Sequence, residues 1–298
     1  MPELPEVETI RRDLAGSIIG SEISTVKLLS PKSAKNKAAF FVYALVGHKI
    51  ENIGRTGKLL ALKIKQKTDD KEKLYLLVHL KMTGQLILVS KGKQVAGGHS
   101  LSGDSFASSV GGNLPNRHTR AIIEFKNGDK LFFNDLRKFG YLKIVSEIEL
   151  EKIIKVGYGP EPLSAKLSVE YLIEKLKNKK KNIKAFLLDQ KMIAGLGNIY
   201  VDESLFLAKI KPTRLAGSIK KEEAKNLYQS MNKIIKKAIE SRGTTFNNYV
   251  DSSGRKGNFS KLLNVYGRGK LPCPNCKKEI IKIKLAGRGT HYCNYCQK

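Results

Sequence analysis

The chain has 298 residues, room for about two domains and a small appendage. No apolar run approaches the roughly 20 residues that span a bilayer, no charged-then-apolar leader precedes a cleavage site, and all four cysteines fall within the last 26 residues. Membrane-embedded, exported and disulfide-framed classes are therefore disfavoured, and a soluble intracellular protein is expected.

Lys and Arg number 55 against 27 Asp and Glu, a net charge of +28. Such an excess suits a polyanionic partner, because each phosphate neutralised releases condensed counterions and steers encounter. Val7, Ile10 and Leu14 recur at helical spacing behind Pro5, with Glu6 and Glu8 in the first turn where the dipole favours acids, so an opening helix is predicted. Alternating or apolar runs at 58–66, 74–80, 120–125 and 130–134 predict strands, and Asn127-Gly128 predicts a hairpin turn. Many short strands joined by turns imply a sandwich or barrel. Residues 89–116, rich in Gly and Ser without periodicity, read as a surface loop.

Beyond Pro160 the period changes. Segments 169–177, 183–190, 198–208 and 222–241 suit helices, the last with Leu227, Met231, Ile234, Ile235 and Ala238 on one face and Gly243 as a stop. Residues 244–260 then read as a loop before the cysteines.

Cys273-Pro-Asn-Cys276 and Cys293-Asn-Tyr-Cys296 are two C-x2-C pairs separated by sixteen residues. Two such pairs on facing turns can place four thiolates at the corners of a tetrahedron, the geometry of a closed structural zinc site. Disulfides or free thiols are the alternatives. Four sulfurs leave no open position for water, so one structural Zn2+ is expected and catalysis must lie elsewhere.

The opening Met1-Pro-Glu-Leu-Pro-Glu-Val-Glu carries other chemistry. Removal of Met1 would expose the secondary amine of Pro2, which can attack a sugar C1′, leave an iminium and so permit elimination of phosphate. Glu3 can supply or accept the protons. A terminal amine with pKa near 8 is only roughly a tenth neutral at pH 7; the helix dipole lowers that pKa, whereas Glu3 and Glu6 raise it. The competing reading of a proline after Met1 is an accident of processing.

This opening resembles the formamidopyrimidine-DNA glycosylase family, as do His79-Leu-Lys-Met-Thr-Gly84, Asp135-Leu-Arg-Lys-Phe-Gly140, Gly159-Pro-Glu-Pro-Leu163, Gly195-Leu-Gly-Asn-Ile-Tyr200, Val265-Tyr-Gly-Arg268 and the four cysteines. The resemblance covers nearly the whole chain. It implies an α+β multidomain protein: a catalytic β-sandwich with an opening helix at 1–150, a helix-two-turn-helix domain with a lesion-capping loop at 151–260, and a zinc finger at 261–298. It further implies a cytoplasmic, nucleoid-associated monomer whose partner is double-stranded DNA containing oxidised bases.

Within the resemblance Pro2 is the Schiff-base nucleophile and Glu3 the proton donor. Lys58 matches the lysine of β-elimination and Arg288 the finger arginine of δ-elimination, although gripping phosphates suits both equally. His118, Arg137, Lys180 and Asn198 match DNA-contacting positions, Asn198 having a helix cap as its plain alternative. Arg120 stands where a second histidine is common, and Arg242 replaces one glycine of the usual pair before Thr244. Met82, Arg137 and Phe139 match the wedge that fills the place of an extruded nucleotide; ordinary core packing is the alternative for Met82 and Phe139. The 244–260 loop matches a cover over the flipped base, or is a linker. An endonuclease VIII-like enzyme for oxidised pyrimidines and a non-catalytic damaged-DNA-binding protein are the competing functions.

Overall fold

The computed structural model describes residues 1–65, 73–90, 93–98, 113–244 and 258–298. Residues 91–92 and 99–112 of the expected 89–116 loop and 245–257 of the 244–260 loop lie outside the described residues. The chain divides into two compact units, Met1–Lys155 with Ser241–Asn258, and Val156–Glu240 with Phe259–Lys298.

The first unit opens with helix α1 (Leu4–Ile18), the predicted opening helix, whose Val7, Ile10, Leu14 and Ile18 are buried. Among the described residues nine strands follow: β1 (Ile23–Leu28), β2 (Lys49–Thr56), β3 (Leu59–Lys65), β4 (Leu74–His79), β5 (Gly84–Ser90), β6 (Lys93–Gly98), β7 (Thr119–Phe125), β8 (Lys130–Asp135) and β9 (Tyr141–Ser146), with short helix α2 (Ala38–Tyr43) after β1 and α3 (Glu147–Gly157) after β9. They form two antiparallel sheets, ordered β1-β7-β8-β5-β6 and β2-β3-β4-β9.

The alternation of side chains explains the sandwich. Leu60, Leu62 and Ile64 of β3 face the same core as Leu86 and Leu88 of β5, Ile123 of β7 and Phe133 of β8. The intervening Ile87, Ile122 and Phe132 bury on the opposite face of their sheet in a separate small cluster. The aperiodic reading of 89–116 needs correction at one place, because Lys93–Gly98 is a strand pairing with β5. Its Gly97 and Gly98 carry no strand preference, and an edge position tolerates that.

The second unit holds α4 (Val169–Leu176), α5 (Ile183–Leu188), α6 (Asn198–Leu207) and α7 (Lys221–Glu240), then the hairpin β10 (Ile281–Leu285) and β11 (Arg288–Tyr292). Ser168 and Asn182 cap α4 and α5 by accepting from Tyr171 N and Ala185 N. Helix α6 is buried almost all round, and its fully buried Glu203 accepts backbone N–H bonds from Asn264, Val265 and Tyr266 at 2.9–3.0 Å. Those bonds compensate a charge that burial would otherwise penalise. Val265, Ile280, Cys273 and Cys293 pack with Phe206 into one cluster, joining the hairpin to α6.

Candidate active site

Glu3 is the N-cap of α1 and is 2% exposed; Pro2 beside it is buried, and Met1 is partly exposed. Glu6 accepts from Glu3 N at 2.9 Å through one oxygen and from Thr244 N and Oγ1, at 2.8 and 3.0 Å, through the other. Burial holds the Met1 ammonium below its ordinary pKa; Glu3 and Glu6 push it back up, and Lys58 lowers it further. The groups expected to serve as nucleophile, proton donor and eliminating lysine are thus brought within electrostatic reach of the terminus. A depressed amine pKa enlarges the neutral, nucleophilic fraction.

Lys58 is itself buried, in the two-residue turn between β2 and β3. Arg55, just before that turn, donates to Gly57 O at 2.8 Å and to Glu8 at 3.1 Å. Burial alone would raise the Glu8 carboxyl, but hydrogen bonds from Arg11, Arg12 and Arg55 hold it down to about 2. Arg242 adopts a left-handed conformation, φ 60°, where glycine is common in the family, and both oxygens of Asp13 on α1 accept from its guanidinium at 2.7 Å. Ion pairing offsets the backbone strain there.

Met82, Arg137 and Phe139 come together at two neighbouring turns, 81–83 before β5 and 136–140 between β8 and β9. The Arg137 guanidinium lies 3.2 Å from Met82 Sδ and 5.0 Å from the centre of the Phe139 ring. Phe139 is 54% exposed, which excludes core packing for its ring. His79, at the end of β4, accepts from Lys81 N at 3.0 Å through Nδ1, so its proton resides on Nε2. Burial first, then Lys81 and Lys58, lower its pKa to about 3. His118 is buried, its Nε2 accepts from Arg117 Nε at 3.2 Å, and burial lowers its pKa with help from Arg117 and Arg120.

In the second unit the cap of α6 is Gly197, so Asn198 is the first helical residue, and its Nδ2 donates to Gly289 O at 2.9 Å. Fully buried Lys184 donates to the same carbonyl at 3.2 Å and to Asp202 at 2.6 Å, while Asp202 accepts from His291 N at 2.9 Å. Arg288, next to Gly289 and exposed, is thereby set beside the start of α6. Lys180 is exposed between α4 and α5.

The four sulfurs of Cys273, Cys276, Cys293 and Cys296 lie within 4.8 Å of one another, with the 273–296 and 276–293 pairs at 3.9 and 3.5 Å. A zinc–sulfur bond of about 2.3 Å places tetrahedral sulfurs about 3.8 Å apart. The cluster therefore fits one structural zinc, held by all four cysteines.

Sequence reasoning passed over Glu6, Glu8, Arg55 and His79 as neighbours of the site. Glu6, Glu8 and His79 stand inside the quoted motifs, which was the available signal, whereas the bonds of Glu6 to Thr244 and of Glu8 to Arg55 join residues far apart in sequence.

A helix-opened β-sandwich with ionisable groups gathered at the amino terminus is thus joined in one chain to a helical second unit and a four-cysteine hairpin. Family models for the formamidopyrimidine-DNA glycosylase N-terminal domain, its H2TH domain and the zinc finger found in FPG and IleRS match residues 1–142, 158–249 and 270–298. The chain belongs to the formamidopyrimidine-DNA glycosylase family. It is 41% identical to the enzyme of that name from Carboxydothermus hydrogenoformans over all of both chains, and 40% identical to that from Desulforamulus reducens over 100% of this chain and 99% of the relative. Among solved structures, Lactococcus lactis Fpg bound to abasic-site DNA superposes with TM-score 0.84 at 33% identity over 99% of each chain. A point mutant of that protein with Fapy-dG DNA gives 0.85 at 34% over the whole of both chains. No helix among the described residues is long and apolar enough to cross a membrane.

Proposed function

We propose that this chain removes 8-oxoguanine and formamidopyrimidines from double-stranded DNA and then cuts the abasic strand by β,δ-elimination, acting as a monomer in the nucleoid-associated cytoplasm. Residues 1–150 carry the chemistry, 151–260 the helical DNA-binding part with its capping loop, and 261–298 the finger. After loss of Met1, the Pro2 nitrogen adds to C1′ of the lesion nucleotide and the bond from C1′ to the base breaks. Glu3, at the head of α1, delivers a proton as the sugar ring opens to the iminium. The iminium acidifies C2′; loss of that proton expels the 3′ phosphate, and a second elimination expels the 5′ phosphate. Lys58 serves the first elimination and Arg288 the second, each also holding a phosphate. His118, Lys180 and Asn198 contact the backbone, and Met82, Arg137 and Phe139 fill the vacated place in the stack. Zinc supplies only the shape of the finger.

The observation that supports this reading is the setting of the chain's start, where Pro2, Glu3 and Lys58 are buried and Glu3, Glu6 and Lys58 all lie within electrostatic reach of the terminal nitrogen. Cleavage of 8-oxoguanine:C and thymine-glycol duplexes in parallel tests the substrate. Faster cutting of the purine lesion is expected; faster cutting of the pyrimidine lesion would assign the chain to the endonuclease VIII-like reading. That alternative keeps some support from a Lactococcus lactis Fpg, 34% identical over both whole chains, solved with DNA containing an oxidised pyrimidine.

A further inference from the structure

The two turns that carry Met82, Arg137 and Phe139 are far apart in sequence, yet they share one carboxylate. Asp135, 1% exposed at the end of β8, accepts from Thr83 Oγ1 and, at 3.2 Å, from Arg137 N through Oδ1; its Oδ2 accepts from Gly140 N at 2.7 Å. Thr83 Oγ1 also accepts from Arg137 N at 3.0 Å, so hydroxyl and carboxylate share one N–H between them. The main chain of Asp135 is fixed as well, its N–H donating to His118 O at 2.8 Å and its carbonyl accepting from Arg120 Nε at 2.9 Å. Arg120 thus fixes the end of β8 through its side chain.

Packing around this carboxylate leaves no slack. A Cβ on Gly140 would lie 2.9 Å from the Phe133 ring and 3.1 Å from Asp135 Oδ2. A Cβ on Gly84 would lie 2.4 Å from Leu80 O, so the turn holding Met82 closes only with glycine there. Lys138 takes a left-handed conformation, φ 58°, which bends the chain so that Arg137 and Phe139 meet in their cation–ring contact. Buried, fully paired carboxylates of this kind hold a conformation more than they add stability.

We infer that Asp135, together with Thr83, is the positioning residue of the wedge: it locks the two turns into one rigid body, so that the thioether, the guanidinium and the ring enter the duplex as a unit when a nucleotide is extruded. Asp135 touches no reacting atom. The inference rests on the wedge reading of Met82, Arg137 and Phe139. Inserting three side chains from two independently moving turns would require ordering them at the moment of insertion, and a displacement of about 1 Å can cost about 100-fold in rate.

The test compares two substrates on the zinc-loaded, full-length protein. Extrusion from a duplex needs the wedge, whereas an abasic site in single-stranded DNA has no opposite strand and no stack to repair. Asp135→Asn and Thr83→Val are each expected to slow excision of 8-oxoguanine from a duplex by about 10- to 100-fold, and to weaken the fluorescence rise of a 2-aminopurine placed beside the lesion. Both variants should cut the single-stranded abasic oligonucleotide within about 3-fold of the parent rate, since the amine site is untouched. Thr83→Val, which removes only a hydroxyl, guards against misfolding of the Asp135 variant. Parallel loss on both substrates, or no loss on the duplex, would overturn the proposal. A Met82→Ala, Phe139→Ala double variant tells the two levels apart. If it slows duplex excision while Asp135→Asn and Thr83→Val do not, the positioning role fails alone; if it leaves duplex excision unchanged, the wedge reading falls and the proposal with it.

Discussion

The amino-terminal site and the cysteine finger are held together by opposite means. Four sulfurs from two short turns meet because their spacing along the chain already allows it, and a single ion would tie them. At the other end, Glu6 must reach Thr244, 238 residues away, to complete the hydrogen bonds around the head of α1. The finger is a local device with one strong bond type, whereas the amine site is a tertiary device in which burial and three charges are balanced against one another. Damage to the first should be all-or-none and damage to the second graded.

Zinc removal is the largest expected break. Replacing Cys273 and Cys293 together with Ser should abolish bound zinc and lower affinity for a damaged duplex by at least about 100-fold, because structural zinc contributes roughly 10 kcal/mol or more to the fold of such modules. Metal analysis and duplex titration check this; unchanged affinity without zinc would mean that the finger's shape does not depend on the ion. Next comes Lys58→Ala, expected to slow strand cutting by about 10- to 100-fold while the covalent intermediate still forms. Single-turnover cutting beside borohydride trapping separates the two steps, and equal loss of both would place the main work of Lys58 in the amine step rather than in elimination.

Smaller effects sharpen the contrast. Glu8 has its carboxyl held down at about 2 against an ordinary 4.5, so it contributes stability above pH 4.5 that is lost as pH falls towards 2. Glu8→Gln should therefore cost on the order of 2 kcal/mol at neutral pH, and the gap to the parent chain should close on acidification. Denaturant melts at several pH values measure it; a gap independent of pH would mean that charge is not the cause. The smallest effect is spectroscopic. His79, lowered to about 3, should show no imidazole titration by NMR between about pH 5 and pH 8, unlike an exposed histidine.

The same contrast explains what could be read from the chain itself. Helix α1, strands β3 and β4, helices α4 to α7 and the cysteine pairs follow from short-range spacing, where period and capping residues speak directly. Strand β6 escaped because Gly97 and Gly98 carry no pattern and the strand exists through its pairing with β5. Asp135 escaped as a site residue for a different reason: its three acceptor bonds include one to Thr83, 52 residues earlier, and no local pattern announces such a bond. For Asn198 the plain alternative of a helix cap does not hold, because Gly197 is the cap and Asn198 Nδ2 donates to Gly289 O, 91 residues on. In each case a property of the neighbourhood decided the role, and neighbourhoods are set by the fold.

The central claim is that the nitrogen of residue 2 forms the covalent bond to DNA. Borohydride reduction of a reaction with an 8-oxoguanine:C duplex, followed by peptide mass mapping, addresses it directly. The expected result is a reduced adduct on Pro2 in protein lacking Met1, and none in protein acetylated at that nitrogen although it still binds the duplex. An adduct mapped to Lys58, or full base release by the acetylated protein, would contradict the account.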